Sequence, residues 1–294
     1  MSFRLEMLQV ARLAPKLLGE SASLVADFLM SRLADEGGFK NRDDRPDLYY
    51  TVFGIEGMLA LQAPLPKERI ASWLQQFGDG EGLDFVHLCC LARSWSALDP
   101  GALASAWKDA LASRVEAYRT PSGGFHPAKN REQGSAYGCL LAAAAYEDIG
   151  LPMPRLDDVK QCMDSLVCPD GGWTNEAILP IANAPGTAAA MALYRRMGWV
   201  VPSESISWLL TCHHSQGGFL AIPKAPIPDL LSTAVALHAL SGAQADYSAI
   251  KEPCLDFVDS LWNADGGFHG NWTDHQLDCE YTYYGLLALG HLSL

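Results

Sequence analysis

Residues 35–61 read DEGGFKNRDDRPDLYYTVFGIEGMLAL: a glycine pair, an aromatic, a loop rich in Pro, Asn and Asp, then an apolar run. Near-copies recur as CPDGGWTNEAIL at 168–179, HHSQGGFLAIPKAPIPDLLSTAVALHAL at 213–240 and NADGGFHGNWTDHQLDCEYTYYGLLALG at 263–290. The pair begins at 37, 123, 171, 217 and 266, and a degenerate copy, GDGEGLDFVHL, supplies Gly80 and Gly82. Intervals of 43, 43, 48, 46 and 49 residues define an array of supersecondary units, each too small to bury its own apolar face.

Each unit has two unlike helices. The segments before the glycines, such as SLVADFLMSRLADE, ERIASWLQQF and CLDFVDSLWN, space apolar residues at helical intervals with charges between them, which predicts outward, one-faced helices. The glycines are expected to end those helices at a position that needs positive φ. The aromatic after each pair is expected to plug the seam between units. The following segments, DLYYTVFGIEGMLALQA, GSAYGCLLAAAAYEDIG, GTAAAMALYRRMG and TAVALHALSG, are apolar nearly all round, which predicts helices buried on several sides. No segment shows sustained two-residue alternation. The reading is all-α: residues 20–294 form one domain of six helix pairs, and residues 1–19 supply a helix that packs on it. An open solenoid and a closed ring are both compatible with six pairs. An open array needs polar end caps, whereas the first and last copies are the most apolar and aromatic, so closure is favoured.

Composition narrows the function. The 294 residues are 49% hydrophobic and 19% charged, with a formal net charge of -13. Such an acidic chain repels phosphate backbones and is a poor candidate for nucleic acid. No apolar run reaches the ~18 residues of a membrane span. The start carries Glu6 early and no small-residue cleavage site, so it reads as an amphipathic helix of the mature protein. Eight scattered cysteines, several within apolar helical runs, suit buried thiols in a reducing cytoplasm.

Glycine pairs with a trailing Phe or Trp, ~45-residue helix pairs and an Asp at the start of the inner helix resemble the protein prenyltransferase β-subunit and squalene-cyclase repeat family. The resemblance implies an α/α toroid, an inner ring of parallel helices inside an outer ring, around an aromatic-lined cavity. Protein prenyltransferases of this kind hold zinc through Asp-x-Cys at one inner helix and a His in a later one. This sequence keeps Asp229 but has Leu231 at the Cys position and Tyr281 at the His position, and Tyr50 stands where the His-bearing unit resembles repeat one. The expectation is therefore no zinc of the family type. The Asp-x-Asp-Asp acid of the cyclases is also absent, since RDDRPD at 42–47 and LDD at 156–158 do not fit.

In a closed ring the inner-helix N-termini gather at one mouth, where unsatisfied N–H groups favour diphosphate. Loops entering those helices carry Lys40, Arg42, Arg45, Lys129, Arg131 and Lys224, either a diphosphate-binding set or ordinary solvated loop charge. Asp47 and Asp229 read first as N-caps. Asp278 and Glu280 fall in the Asp-x-Cys register, as a capping pair, an acid and base, or oxygens for a magnesium ion that arrives with diphosphate. Tyr49, Tyr50, Tyr137, Tyr281, Tyr283, Tyr284 and Trp272 lie on or beside the inner helices, as core or as a wall for an isoprenoid chain. His87, His213 and His214 read as structural.

The candidate catalytic residues are Asp278, Glu280, Tyr281 and Asp229. The candidate substrate-binding residues are Lys40, Arg42, Arg45, Tyr50, Arg131, Tyr137, Lys224 and Trp272. The leading expectation is a prenyltransferase-like transferase acting on an isoprenoid diphosphate, with no tightly bound cofactor. The alternatives are a non-catalytic toroid that binds a lipid or a partner protein, and a class II terpene cyclase with an atypical acid.

Overall fold

The polar N-caps at the start of each apolar run fix where the inner helices begin. Asp47, Asp84, Ser135, Asn183, Asp229 and Asp278 each accept a hydrogen bond from an N–H of the first turn, satisfying a donor that has no partner inside the helix. The structure is a computed structural model that describes residues 2–99 and 105–294. The capped inner helices are α4 (Leu48–Ala60), α6 (Phe85–Leu98), α8 (Ala136–Ile149), α10 (Ala184–Arg196), α12 (Leu230–Gly242) and α14 (Cys279–Leu292). The outer helices are α3 (Ala22–Ser31), α5 (Lys67–Gln75), α7 (Ser105–Glu116), α9 (Leu156–Asp164), α11 (Ser203–Thr211) and α13 (Lys251–Ser260). Two more, α1 (Phe3–Ala11) and α2 (Pro15–Leu18), precede them. Among the described residues the only β pairing is isolated bridges.

Each inner helix packs on the next, and α14 packs on α4, so the ring is closed. This is the all-α toroid of six helix pairs that the repeat predicts. The outer layer closes too. A Cβ on the first glycine of each full pair would strike the next outer helix: Gly37 meets Arg69 O at 2.4 Å, Gly217 meets Pro253 O at 1.8 Å, and Gly266, in the last repeat, meets Leu24 O in the first at 2.1 Å.

Those glycines do not end the outer helices, as the sequence reading expected. α3 stops at Ser31 with an ordinary right-handed cap at Arg32, and Gly37 lies further on, in a turn closed by the Leu33–Phe39 bridge. The same bridge recurs at Arg119–Phe125, Val167–Trp173, His213–Phe219 and Trp262–Phe268. The turn itself demands positive φ (115° at Gly37, 94° at Gly266), which is why glycine recurs there. The aromatic that follows is fully buried, and its N–H is held by a threonine hydroxyl of the inner helix: Phe39 by Thr51, Trp173 by Thr187 and Phe219 by Thr233, each at 2.9 Å. In the third repeat Cys139 Sγ takes that place against Phe125 N–H, at 3.4 Å.

Helix α1 lies across the far end of the inner ring. Phe3 N–H donates to Glu147 Oε2 at the end of α8 (3.0 Å), and Val10 presses its carbonyl on Gly290 near the end of α14. One end of the ring is therefore plugged by α1, and the other, where the six capped N-termini meet, is the mouth.

Candidate functional site

The mouth is built by the first turns of α4, α6 and α14. Tyr49 Oη donates to Glu280 Oε1 at 2.6 Å, joining the first turn of α4 to that of α14. Burial raises the Glu280 carboxyl to about 7, more than the Tyr49 hydrogen bond lowers it, so it is partly protonated at neutral pH. Aromatic rings continue inward from there. Tyr49 lies edge-on to Tyr50 at 5.6 Å and to Phe53 at 5.0 Å, and Phe53 lies 5.5 Å from Tyr284 and 5.9 Å from Tyr283. Tyr137 is 38% exposed, and Tyr49 and Tyr284 keep part of their surface. All three are nevertheless surrounded by protein, and burial raises each phenol. Burial also carries Tyr50 and Tyr281 up to about 12.

The basic residues at this mouth do not act alike. Arg42 crosses to the last repeat, donating through Nε to Asp278 Oδ2 at 2.6 Å and through Nη2 to Asp274 Oδ2 at 2.8 Å, with its guanidinium 5.3 Å from the centre of the Tyr281 ring. Burial pulls its pKa down, and the hydrogen bonds to Asp278 and Asp274 more than reverse that. Asp278 is fully buried and caps α14 through Tyr281 N–H at 2.8 Å; burial shifts its carboxyl upward against the pull of that amide and of Arg42. Lys40, Arg45, Arg131 and Lys224 form no ion pair among the described residues. Trp272 is not brought into the group. Its indole packs on Phe257 and His214 and donates to Ser260 Oγ at 2.9 Å, in the seam with the outer helix α13.

His87 does more than fill a helix. It stands in the first turn of α6 with Nδ1 at 2.8 Å from Asp84 Oδ2 and Nε2 at 3.6 Å from Asp47 Oδ2, tying together the caps of two neighbouring inner helices. The carboxylate of Asp47, helped by that of Asp84 and opposed by burial, raises its pKa to about 9. The folded value lies above the unfolded one, so this stabilisation is complete below the ordinary histidine pKa and is lost as pH rises through about 9. His87→Gln should cost ~1 kcal/mol at pH 7, a modest figure because the pair is partly exposed and screened. The cost should vanish by pH 10 in thermal melts, and an equal cost at both pH values would rule out the charged tie.

At the positions where the family holds zinc, the donors do not fit. Asp229 caps α12, accepting from Ser232 N–H and Ser232 Oγ, both at 2.7 Å, and burial raises its carboxyl. Leu231 offers no donor atom, and a phenol titrating at about 12 leaves Tyr281 neutral, a poor zinc ligand. Among the described residues no three His, Cys, Asp or Glu side chains converge as a metal site.

Sequence reading missed a buried charge cluster. Glu56, Arg93, Arg4 and Asp148 gather inside the ring, with Glu56 Oε1 at 3.5 Å from Arg93 Nε and 3.7 Å from Arg4 Nη1, and Arg4 Nε at 4.0 Å from Asp148 Oδ1. The available signal was Glu56, the sole charge in the apolar run of α4.

Among functionally curated proteins no sequence matches this chain. Solved structures do match. Candida albicans protein geranylgeranyltransferase-I, complexed with GGPP, superposes with a TM-score of 0.66 at 16% identity over 82% of this chain and 83% of that one. An inactive variant of an α-1,6-mannanase from Salegentibacter sp., in complex with α-1,6-mannotriose, gives 0.63 at 14% identity over 94% and 98%. The type II terpene cyclase MstE from Scytonema gives 0.62 at 13% identity over 94% and 97%. At these identities the likeness is one of fold. The model of the family described as Prenyltransferase alpha-alpha toroid domain matches residues 11–100 and 188–293, most of the chain, and the protein belongs to that family.

Proposed function

We infer that the protein binds an isoprenoid or similar unsaturated lipid-like chain in the aromatic cleft, and that Glu280 is its proton-handling group. The observation that carries this reading is a carboxyl with a pKa near 7, held by Tyr49 within a wall of aromatic rings. Such a group is poised to give or take a proton at neutral pH, and the rings stabilise cationic character in an unsaturated chain. The similarity to a geranylgeranyltransferase and a terpene cyclase points to the same ligand class. A diphosphate, where the ligand has one, meets Lys40 and Arg45, because Arg42 is already committed to two carboxylates. Magnesium enters with that diphosphate and not before it. The commitment of Arg42 to Asp274 and Asp278 also favours a second reading, a non-catalytic toroid that holds a lipid or the lipidated end of a partner.

Native mass spectrometry with farnesyl diphosphate, geranylgeranyl diphosphate and farnesol tests the binding step. One chain per protein is expected for at least one of them, with no stoichiometric zinc by elemental analysis. The Lys40→Ala, Arg45→Ala double variant should weaken diphosphate binding severalfold and leave farnesol unchanged, because each cation offers only a screened, exposed contact. Failure to retain any of the three ligands overturns the reading. Bound product after incubation separates the catalytic from the carrier form.

A further inference from the structure

The repeats can be compared with one another, and one seam departs from the rest. In four of the five full glycine pairs, a Cβ on the second glycine would strike a large aromatic of an outer helix: Trp73 at Gly38, Trp208 at Gly172, Phe257 at Gly218 and Phe28 at Gly267. At Gly124 it would strike a sulfur instead, Cys162 Sγ of α9, at 2.3 Å. The same four repeats hold the buried aromatic's N–H with a threonine hydroxyl (Thr51, Thr187, Thr233 and Thr282), and again the third repeat uses a thiol, Cys139 of α8. The two departures meet. A Cβ on Gly124 would also lie 3.0 Å from Cys139 Sγ, so both sulfurs pack against the same glycine. A single core cysteine is an ordinary small apolar residue. Here two replace a Thr and an aromatic together, and their thiols stand side by side between an inner and an outer helix. The surroundings also divide their roles. Ser122 Oγ, on a partly exposed residue, donates to Cys162 Sγ at 3.5 Å. The neighbouring Cys139 thiol, with Ser122 and the N–H groups of Gly134 and Gly124, holds the Cys162 thiol below its usual range against the opposing pull of burial. Cys139 is pushed up by Cys162 and by burial.

We propose that Cys139 and Cys162 are a redox modification site, which a small peroxide converts into a disulfide joining α8 to α9, with Cys162 as the attacking sulfur and Cys139 as the resolving one. Cys162 is only 2% exposed, which selects an oxidant close to water in size. The Cys162 thiolate attacks one peroxide oxygen and the O–O bond breaks. The released hydroxide takes up the proton that Cys162 gave, leaving a sulfenic acid and water. Cys139 sulfur then displaces the sulfenic hydroxyl, which leaves with the Cys139 proton as a second water, and the S–S bond forms. The two sulfurs supply the two electrons that reduce the peroxide. The bridge ties the outer layer to α8, whose first turn carries Tyr137 at the mouth, and it does not depend on what the cleft binds.

The test treats the full-length, reduced protein with hydrogen peroxide, then unfolds it in an alkylating agent and maps its peptides without reduction. A peptide linked through Cys139 and Cys162 is expected. Free thiols should fall by two from the eight of the reduced chain, and dithiothreitol should restore them. Cys139→Thr installs the residue that the other repeats use, and oxidation should then stop at a Cys162 sulfenic acid that dimedone traps on unfolding. The unaltered protein should lose that adduct to the disulfide. If the variant does not fold, the linkage map of the unaltered protein decides alone. The proposal is overturned if the folded protein keeps all eight thiols under peroxide, if Cys162 links to a different cysteine, or if the linkage forms only in denaturant.

Discussion

Gly266→Ala is expected to lower stability by about 3–5 kcal/mol and the melting temperature by on the order of 10 °C. Two costs combine. The backbone at Gly266 has φ 94°, a conformation that burdens any residue with a Cβ by about 1–3 kcal/mol. The added methyl would also lie 2.1 Å from Leu24 O and 3.1 Å from Phe28 Cβ, so α3 must move away from the last repeat. A backbone carbonyl cannot swing aside as a side-chain tip can, and overpacking of this kind adds roughly 1–3 kcal/mol. Gly82→Ala supplies the control, since its φ is 82° but nothing lies within 4 Å of the new Cβ. It should show the backbone cost alone. If the two variants melt together, the closing contact between the last and first repeats contributes nothing.

The second large effect is pH-dependent. Burial raises the Glu280 carboxyl from 4.5 to about 7, so the folded protein holds that proton more tightly than the unfolded chain does. The associated stability is fully present below pH 4.5 and is lost as pH rises through about 7. Glu280→Gln retains an acceptor for Tyr49 and cannot ionise. The variant should therefore match the unaltered protein at pH 4 and exceed it increasingly up to pH 8, where the difference reaches about 3 kcal/mol. Denaturant unfolding at a series of pH values measures this directly. A difference that does not change with pH would mean that Glu280 titrates as an ordinary exposed carboxyl, and the proton-handling role would go with it.

The ring was legible because the determinants of each unit are local and repeated. A turn that demands positive φ writes a glycine, a cap writes Asp, Asn or Ser, and a helix buried on all sides writes an apolar run. The register of the glycines was misassigned for an equally local reason: a helix end and a bridged turn call for the same residue, and only the Leu33–Phe39 pairing distinguishes them. The site was less legible because its partners are remote. Arg42 lies 236 positions from Asp278 in sequence, and nothing near residue 42 says that two carboxylates of the last repeat will claim it. Trp272 and Tyr49 both look like cavity aromatics in sequence, yet the fold sends one to an outer seam and the other to Glu280. The buried charge cluster depends on α1 bringing Arg4 to Glu56, a meeting of residues from separate helices with no shared motif.

The contact of α14 with α4, and of α1 with both, sets an order in time. A growing chain emits α1 and α4 first and their last partner only when residues 279–292 emerge. Until then the apolar flank of α4 and the arginine of α1 have no completed surroundings, and the half-made ring is an open arc with sticky ends. The ring cannot close before residues 279–292 emerge, and the contact it then makes is of the long-range kind that slows folding. A chain that stalls before residue 279 would present that arc to other copies of itself, so early termination should yield aggregates and not shortened rings.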